Sequence, residues 1–170
     1  MIILSVKLVH DYGYVHRDIK PNNFVMGHKD DLERAHIVHI LDFGLSRAYA
    51  VFKNGKWIAR KARGTAEFRG TLRYCSPNVH EKKEQGRQDD LWSLFYVLIE
   101  LHCGLPWQTV RDKHKVLCTY IHGKSLTNVQ IIKVEVIKMN IPDENLVQNF
   151  PREFRISHTC FQKLEFSVYG

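Results

Sequence analysis

No apolar run in these 170 residues reaches the roughly 20 residues a membrane-spanning helix needs. The opening stretch Met1 to Val9 is too short for a span. It also lacks the charged start and cleavage-type end of a secretion signal. The second run, Leu91 to Leu101, is shorter still than a span. Cysteine is scarce and scattered: Cys75, Cys103, Cys118 and Cys160 form no C-x-x-C pair. That pattern argues against a disulfide framework and for the reduced thiols of an intracellular protein. There is no internal repeat, no low-complexity tract and no linker-like stretch to mark a second domain. Acidic residues are the minority charge, with 18 Asp plus Glu against 25 Lys plus Arg and a net charge of +7. With 44% hydrophobic residues, the chain reads as one soluble domain large enough to bury a core without staples. The cytoplasm or the nucleus is the expected compartment.

The local pattern is uneven. Residues 1 to 12 carry apolar side chains at 2, 3, 4, 6, 8 and 9 and close on Gly13, which predicts the end of a buried helix stopped by glycine. Short extended pieces are expected around Val15, Ile19 and Phe24 to Met26, then a charged loop from Gly27 to Ala35. Ile37 to Leu41 is expected as a partner strand. From Asp42 to Asn78 no helix or strand period holds, and a loop of that length in a compact domain is usually functional. Asp90 to Leu101 is apolar on every side and predicts a core helix, ended by Gly104 and Pro106. Lys115 to Glu135 looks more strand-like than helical.

The strongest chemical signal is His16-Arg17-Asp18-Ile19-Lys20-Pro21-Asn22-Asn23, followed by Asp42-Phe43-Gly44. An Asp-Phe-Gly alone is commonly a turn, and His-Arg-Asp alone is commonly a surface cluster. In this order, with strand-like residues before each, they fit the catalytic loop and the metal-binding element of protein kinases. Phosphoryl transfer requires a carboxylate to orient and deprotonate the attacking hydroxyl. It also requires a cation beside the phosphate and oxygen ligands for Mg²⁺. On this reading Asp18 is the base and Lys20 the cation. Asn23 and Asp42 are the metal ligands and thereby hold the cofactors, ATP and Mg²⁺.

Two downstream stretches, Gly70-Thr71-Leu72-Arg73-Tyr74-Cys75-Ser76-Pro77-Asn78 and Gly86-Arg87-Gln88-Asp89-Asp90-Leu91-Trp92-Ser93, narrow the resemblance. Over residues 4 to 114 the chain resembles the casein-kinase-1 group, and within it the tau-tubulin-kinase-like branch. The fold implied is mainly α (α+β), the C-terminal lobe of the protein-kinase fold with short strands at the catalytic and Asp-Phe-Gly loops. The resemblance further implies that Asp90 hydrogen-bonds the catalytic-loop backbone, that His16 and Phe43 stack, and that Arg17 and Gly44 support them. Thr71 would bridge Asp18 and Lys20, favouring Ser/Thr over Tyr substrates. Ser76-Pro77-Asn78 stands where most kinases have Ala-Pro-Glu, so the glutamate that anchors the activation segment is absent, as is usual in this branch.

Basic charge gathers between Val51 and Cys75, where seven Lys and Arg stand against Glu67 alone. A solvated loop is the ordinary explanation of such a run, and without a stacking-rich module a nucleic-acid interface is disfavoured. The family resemblance implies instead that Arg73 and Arg111 line an anion pocket for acidic or already phosphorylated protein substrates. His36 and His39 lack the further ligands that a metal site requires.

A protein-kinase domain also needs a Gly-rich loop, a strand lysine and a helix glutamate from its smaller lobe. Only 15 residues precede His16, and no G-x-G-x-x-G or V-A-I-K-like segment occurs. The expected division is a C-lobe over residues 1–115, a suspected insertion over 116–133 and a divergent, truncated end over 134–170. The 111–115 and 134–144 stretches would read as one family-like segment if the intervening residues were removed. A Ser/Thr kinase lacking its nucleotide-binding lobe is the first reading. A non-catalytic module that binds substrates or regulators is the second.

Overall fold

The computed structural model describes residues 1–107 and 134–150. Helix α1 (Ile2–Asp11) buries Ser5, Val6, Val9 and His10 on one face. Ile3, Leu4 and Leu8 on its other face are about half exposed. The expected buried helix is therefore corrected to a half-buried one, because neighbours among the described residues cover a single stripe. The helix closes through the Tyr12 and Gly13 amides, which donate to Leu8 and His10 carbonyls at 3.1 and 2.9 Å. Gly13 then takes φ +80°, and a Cβ there would lie 2.9 Å from the Ala50 carbonyl.

The chain next forms three antiparallel pairs of short strands among the described residues. β1 (Tyr14–Val15) pairs with β4 (Arg47–Ala48), and β2 (Phe24–Met26) pairs with β3 (Val38–Ile40), setting Phe24 opposite Ile40. These are the strands expected at the two loops. α1 is tied to β3 by the Ser5 hydroxyl, which donates to the Val38 carbonyl at 2.6 Å.

The third pair is not in the sequence expectation. β5 (Ala50–Lys53) and β6 (Lys56–Ala59) form a hairpin inside the stretch expected to be loop. Its turn residues Asn54 and Gly55 both have positive φ, 52° and 76°, the requirement of the tight hairpin turn that Asn-Gly favours. Val51, Phe52, Trp57 and Ile58 are all exposed to a similar degree, so neither face is polar and the two-residue period is hidden. Phe52 and Trp57 pair across the strands, ring centroids 5.3 Å apart, and the Trp57 ring lies over Gly13.

After a short helix α2 (Pro77–His80), α3 (Arg87–Cys103) runs through the core. Leu94, Phe95, Tyr96, Val97 and Ile99 are buried, whereas Leu101 is 66% exposed. Gly104 ends the helix with φ +81°, as its place after the apolar run predicts. Two further helices, α4 (Val134–Asn140) and α5 (Asp143–Val147), add Val134, Leu146 and Val147 to the same core as Val6, Ile19, Tyr74 and Trp107. The strand-like reading of Lys115 to Glu135 is corrected at its end, since Val134 and Glu135 open a helix. The rest of that reading, the suspected insertion at 116–133 and residues 151–170 lie outside the described residues. Among the described residues no helix is long and apolar enough to cross a membrane.

Candidate active site

The loop from His16 to Asn23 takes its shape from one buried carboxylate. Asp90, in the first turns of α3, accepts the His16 amide at 2.7 Å, the Arg17 amide at 2.8 Å and the His10 Nε2–H at 2.9 Å. Two consecutive amides aimed at one side chain force a sharp bend, and Arg17 takes φ +68° to make it. That conformation is costly for a non-glycine residue and persists only where its surroundings hold it.

His16 joins this loop to the Asp42 segment. Its Nε2–H donates to the Leu41 carbonyl at 2.9 Å, and its ring meets Phe43 edge-on with centroids 5.2 Å apart. The Leu41 amide in turn donates to the Asn23 carbonyl at 2.8 Å. Asn23 returns to the loop through its side-chain amide, which donates to the Asp18 carbonyl at 2.9 Å. The hydrogen bond between Leu41 and Asn23 thus ties the metal-ligand candidate Asn23 to the residue that precedes the other candidate, Asp42. Asp42 has φ +60°, and its carboxylate accepts the Gly44 amide at 3.3 Å while staying exposed.

Asp18 is only 7% exposed, and both its carboxylate oxygens are engaged. Lys20 Nζ donates to one at 2.6 Å, and the Thr71 hydroxyl donates to the other at 2.6 Å. The bridging group is thus the Asp18 carboxylate and not Thr71, the bridge that the resemblance implied: Thr71 and Lys20 each bind a different oxygen of it. Burial opposes ionisation of Asp18. The hydrogen bonds from Lys20 and Thr71, with the Lys20 charge, outweigh it and hold the carboxyl below its usual range. Gly70 lets Thr71 come this close: at φ +102°, a Cβ on it would lie 2.4 Å from the Arg17 carbonyl.

The structure brings Asp18, Lys20, Asn23 and Thr71 together, with Asp42 attached through Leu41. His16, Arg17, Phe43 and Asp90 act as supports, and Gly44 caps the Asp42 side chain. Arg73, expected in an anion pocket, has an internal partner: its Nη1 donates to Glu100 at 2.8 Å, and Glu100 also accepts the Tyr74 hydroxyl. Burial, and then the Glu100 contact, push the Tyr74 hydroxyl up to about 12. Arg111, the other half of that pocket, lies outside the described residues.

Two features escape sequence reasoning. Glu84 sits among arginines, pairing with Arg47 at 3.0 Å and Arg63 at 3.3 Å beside a cleft of about 890 Å³ lined also by Arg17 and Arg69. Burial, then Arg63 and Arg69, lower the Arg17 pKa there. The basic run is legible in the sequence, but no local pattern indicates that Glu84 folds into it. The second is Lys138 of α4, buried against Leu72 and Cys75. A lysine in a mixed stretch gives no sequence sign of burial.

A protein kinase domain family model matches residues 1–162. Over 166 residues, 95% of this chain and 49% of the relative, the chain is 44% identical to an inactive tau-tubulin kinase of Caenorhabditis elegans. It is 47% identical over 116 residues, 68% of this chain and 22% of the relative, to a probable serine/threonine-protein kinase of Dictyostelium discoideum. A putative casein kinase I of Caenorhabditis elegans is 44% identical over 126 residues, 73% of this chain and 34% of the relative. The chain thus spans about half or less of the length of these curated relatives. The chain belongs to the protein kinase family, in its casein-kinase-1 and tau-tubulin-kinase-like branch.

Proposed function

We propose that this chain carries the catalytic loop of a serine/threonine protein kinase, transferring phosphate from ATP to protein hydroxyls in a whole protein that also supplies a nucleotide-binding lobe. One observation carries the reading: the Asp18 carboxylate is held on both oxygens by Lys20 and Thr71. A carboxylate kept ionised and fixed in direction suits a group that orients a substrate hydroxyl and takes its proton. Lys20, donating to that carboxylate, also sets a positive charge beside the acceptor position, where the transferred phosphoryl group gathers negative charge. Thr71 donates to Asp18, and with Lys20 beside the same carboxylate it is the feature through which the family resemblance implies Ser and Thr acceptors.

The donor set suits Mg²⁺. Asp42 presents an exposed carboxylate, and Asn23, whose amide nitrogen is occupied by the Asp18 carbonyl, presents its amide oxygen. Hard oxygen donors of this kind, few in number, are typical of Mg²⁺ sites completed by substrate phosphates. When bound there with ATP, the ion would offset the charge of the phosphates. A preference for acidic or phosphorylated substrates through Arg73 would need its guanidinium to take the incoming anion beside Glu100 or in its place.

A second reading has its own support. The worm relative matching 95% of this chain is named as inactive, which favours a non-catalytic module binding substrates or regulators. The test measures radiolabelled phosphate transfer by the 170-residue chain, alone and joined to the nucleotide-binding lobe of a casein-kinase-1 enzyme. Each is compared with its Asp18→Asn variant. Transfer is expected only in the joined protein and only with Asp18. Without a Gly-rich loop or strand lysine the chain alone lacks half of the positioning groups on which kinase catalysis depends. A joined protein that binds ATP and transfers nothing would reject the catalytic reading in favour of the interaction module.

A further inference from the structure

Lys138 is 5% exposed, a burial rare for lysine because the ammonium loses its hydration. Its pKa falls to about 8, with burial the dominant cause. The ammonium has specific partners in exchange. It donates to the Leu72 carbonyl at 2.8 Å and to the Cys75 carbonyl at 2.6 Å. It also lies 5.0 and 5.3 Å from the ring centroids of Tyr96 and Trp107, within cation–π range.

Those two carbonyls bracket a tight turn. The Tyr74 and Cys75 amides both donate to the Thr71 carbonyl, at 3.0 and 3.1 Å. Lys138 gathers the Leu72 and Cys75 carbonyls of the same turn. The Trp107 indole N–H donates to the Arg73 carbonyl at 2.9 Å, so the Leu72, Arg73 and Cys75 carbonyls of the turn are all bound by side chains from elsewhere in the fold. The Thr71 hydroxyl at the head of the turn holds Asp18. A continuous set of contacts therefore runs from α4 through the turn to the candidate base.

The Ala-Pro-Glu glutamate is replaced here by Asn78. Asn78 Nδ2 reaches Asp89 at 3.4 Å, and the Ser76 hydroxyl donates to the same carboxylate. These contacts secure the segment after the turn; within the turn Glu100 binds the Arg73 and Tyr74 side chains, while Lys138 and Trp107 bind its backbone carbonyls. We propose that Lys138 is a positioning residue, a cationic clamp from α4 that holds the Thr71–Cys75 docking loop in register with Asp18. The proposal rests on reading that loop as the place where substrate is presented to Asp18.

The test is amide hydrogen exchange on the 170-residue chain and its Lys138→Met and Lys138→Arg variants. Methionine keeps a linear apolar side chain against Tyr96 and Trp107 and removes the charge, a replacement that buried ion sites often tolerate. Loss of two charge-assisted bonds should lower protection of the Tyr74 and Cys75 amides by ~10-fold or more, with Leu94 to Ile99 in α3 changed less than about two-fold. Lys138→Arg, which keeps a cationic donor, should restore most of that protection. Unchanged loop protection in Lys138→Met overturns the clamp. Equal loss in the loop and in α3, or loss of the fold, with Lys138→Arg no better, overturns it as well, because the residue then serves only global stability. Exchange needs no phosphate transfer, so a failure of the kinase reading leaves this result standing, and a failure here leaves the Asp18 test standing.

Discussion

Replacing Asp90 with alanine tests how the loop around Asp18 is held. The substitution removes the acceptor for the His16 amide, the Arg17 amide and the His10 imidazole at once. Each buried donor left without a partner costs about 1–3 kcal/mol, and removing one side of a buried charged contact costs about 3–5 kcal/mol overall. Removing the carboxylate also removes its own burial penalty, so the lower part of the summed range applies, about 3–5 kcal/mol. For a chain of this size that corresponds to a fall in Tm of roughly 6–20 °C. It is a large share of the ~5–15 kcal/mol that stabilises a typical domain. Asp90→Asn keeps one acceptor oxygen and should cost about half as much. Glu67→Ala, at a side chain 84% exposed, should stay within about 0.5 kcal/mol of wild type. Urea denaturation at neutral pH with linear extrapolation, supported by thermal melts, measures all three. An Asp90→Ala loss below about 1 kcal/mol, or an asparagine variant as unstable as the alanine one, would refute the reasoning. Either result would mean that the strained Arg17 conformation is stable without its carboxylate.

Two further outcomes follow from particular contacts. Gly70→Ala combines a positive φ with a Cβ placed 2.4 Å from the Arg17 carbonyl, so it should cost more than about 1 kcal/mol in the same denaturation assay. It should also shift the Thr71 and Asp18 resonances in NMR spectra; a stable variant with an unaltered loop would show that the close approach is not required. Lys138 binds its proton less tightly folded than unfolded, with a pKa of about 8 against 10.5. Between those values the unfolded chain holds the extra proton, so stability attributable to Lys138 rises with pH, by up to roughly 3 kcal/mol, and is lost again as pH falls through 8. The stability difference between wild type and Lys138→Met, measured from pH 7 to 10.5, should show that rise; a flat difference would contradict burial of the ammonium.

The parts of this protein written in local order were legible from the sequence. His16 to Asn23 and Asp42 to Gly44 announce themselves by spacing, and the Leu91 to Leu101 run announces a core helix, because these signals depend on near neighbours. The hairpin at Asn54-Gly55 was also written locally, through its turn residues. It was missed because its apolar side chains stand on both exposed faces and leave no alternation to see. The apolar residues of α1 predict a buried helix because composition registers apolar residues, whereas only packing determines which face is covered.

The remainder depends on contacts between residues far apart in the chain. That Asp90 would bind the His16 and Arg17 amides came from family resemblance, since a separation of 74 residues leaves no local trace. Arg73 has the composition of an anion site, yet folding sets Glu100 against it. Glu84 enters the basic run and Lys138 enters the core for the same reason. A charge's partner is chosen by the three-dimensional path of the chain, and sequence spacing carries that information only when the partners lie within a turn or two. The residue types around Asp18 were determined by the sequence alone; their directions, ionisation and anchoring were decided by tertiary structure, through hydrogen bonds that close only when distant segments meet.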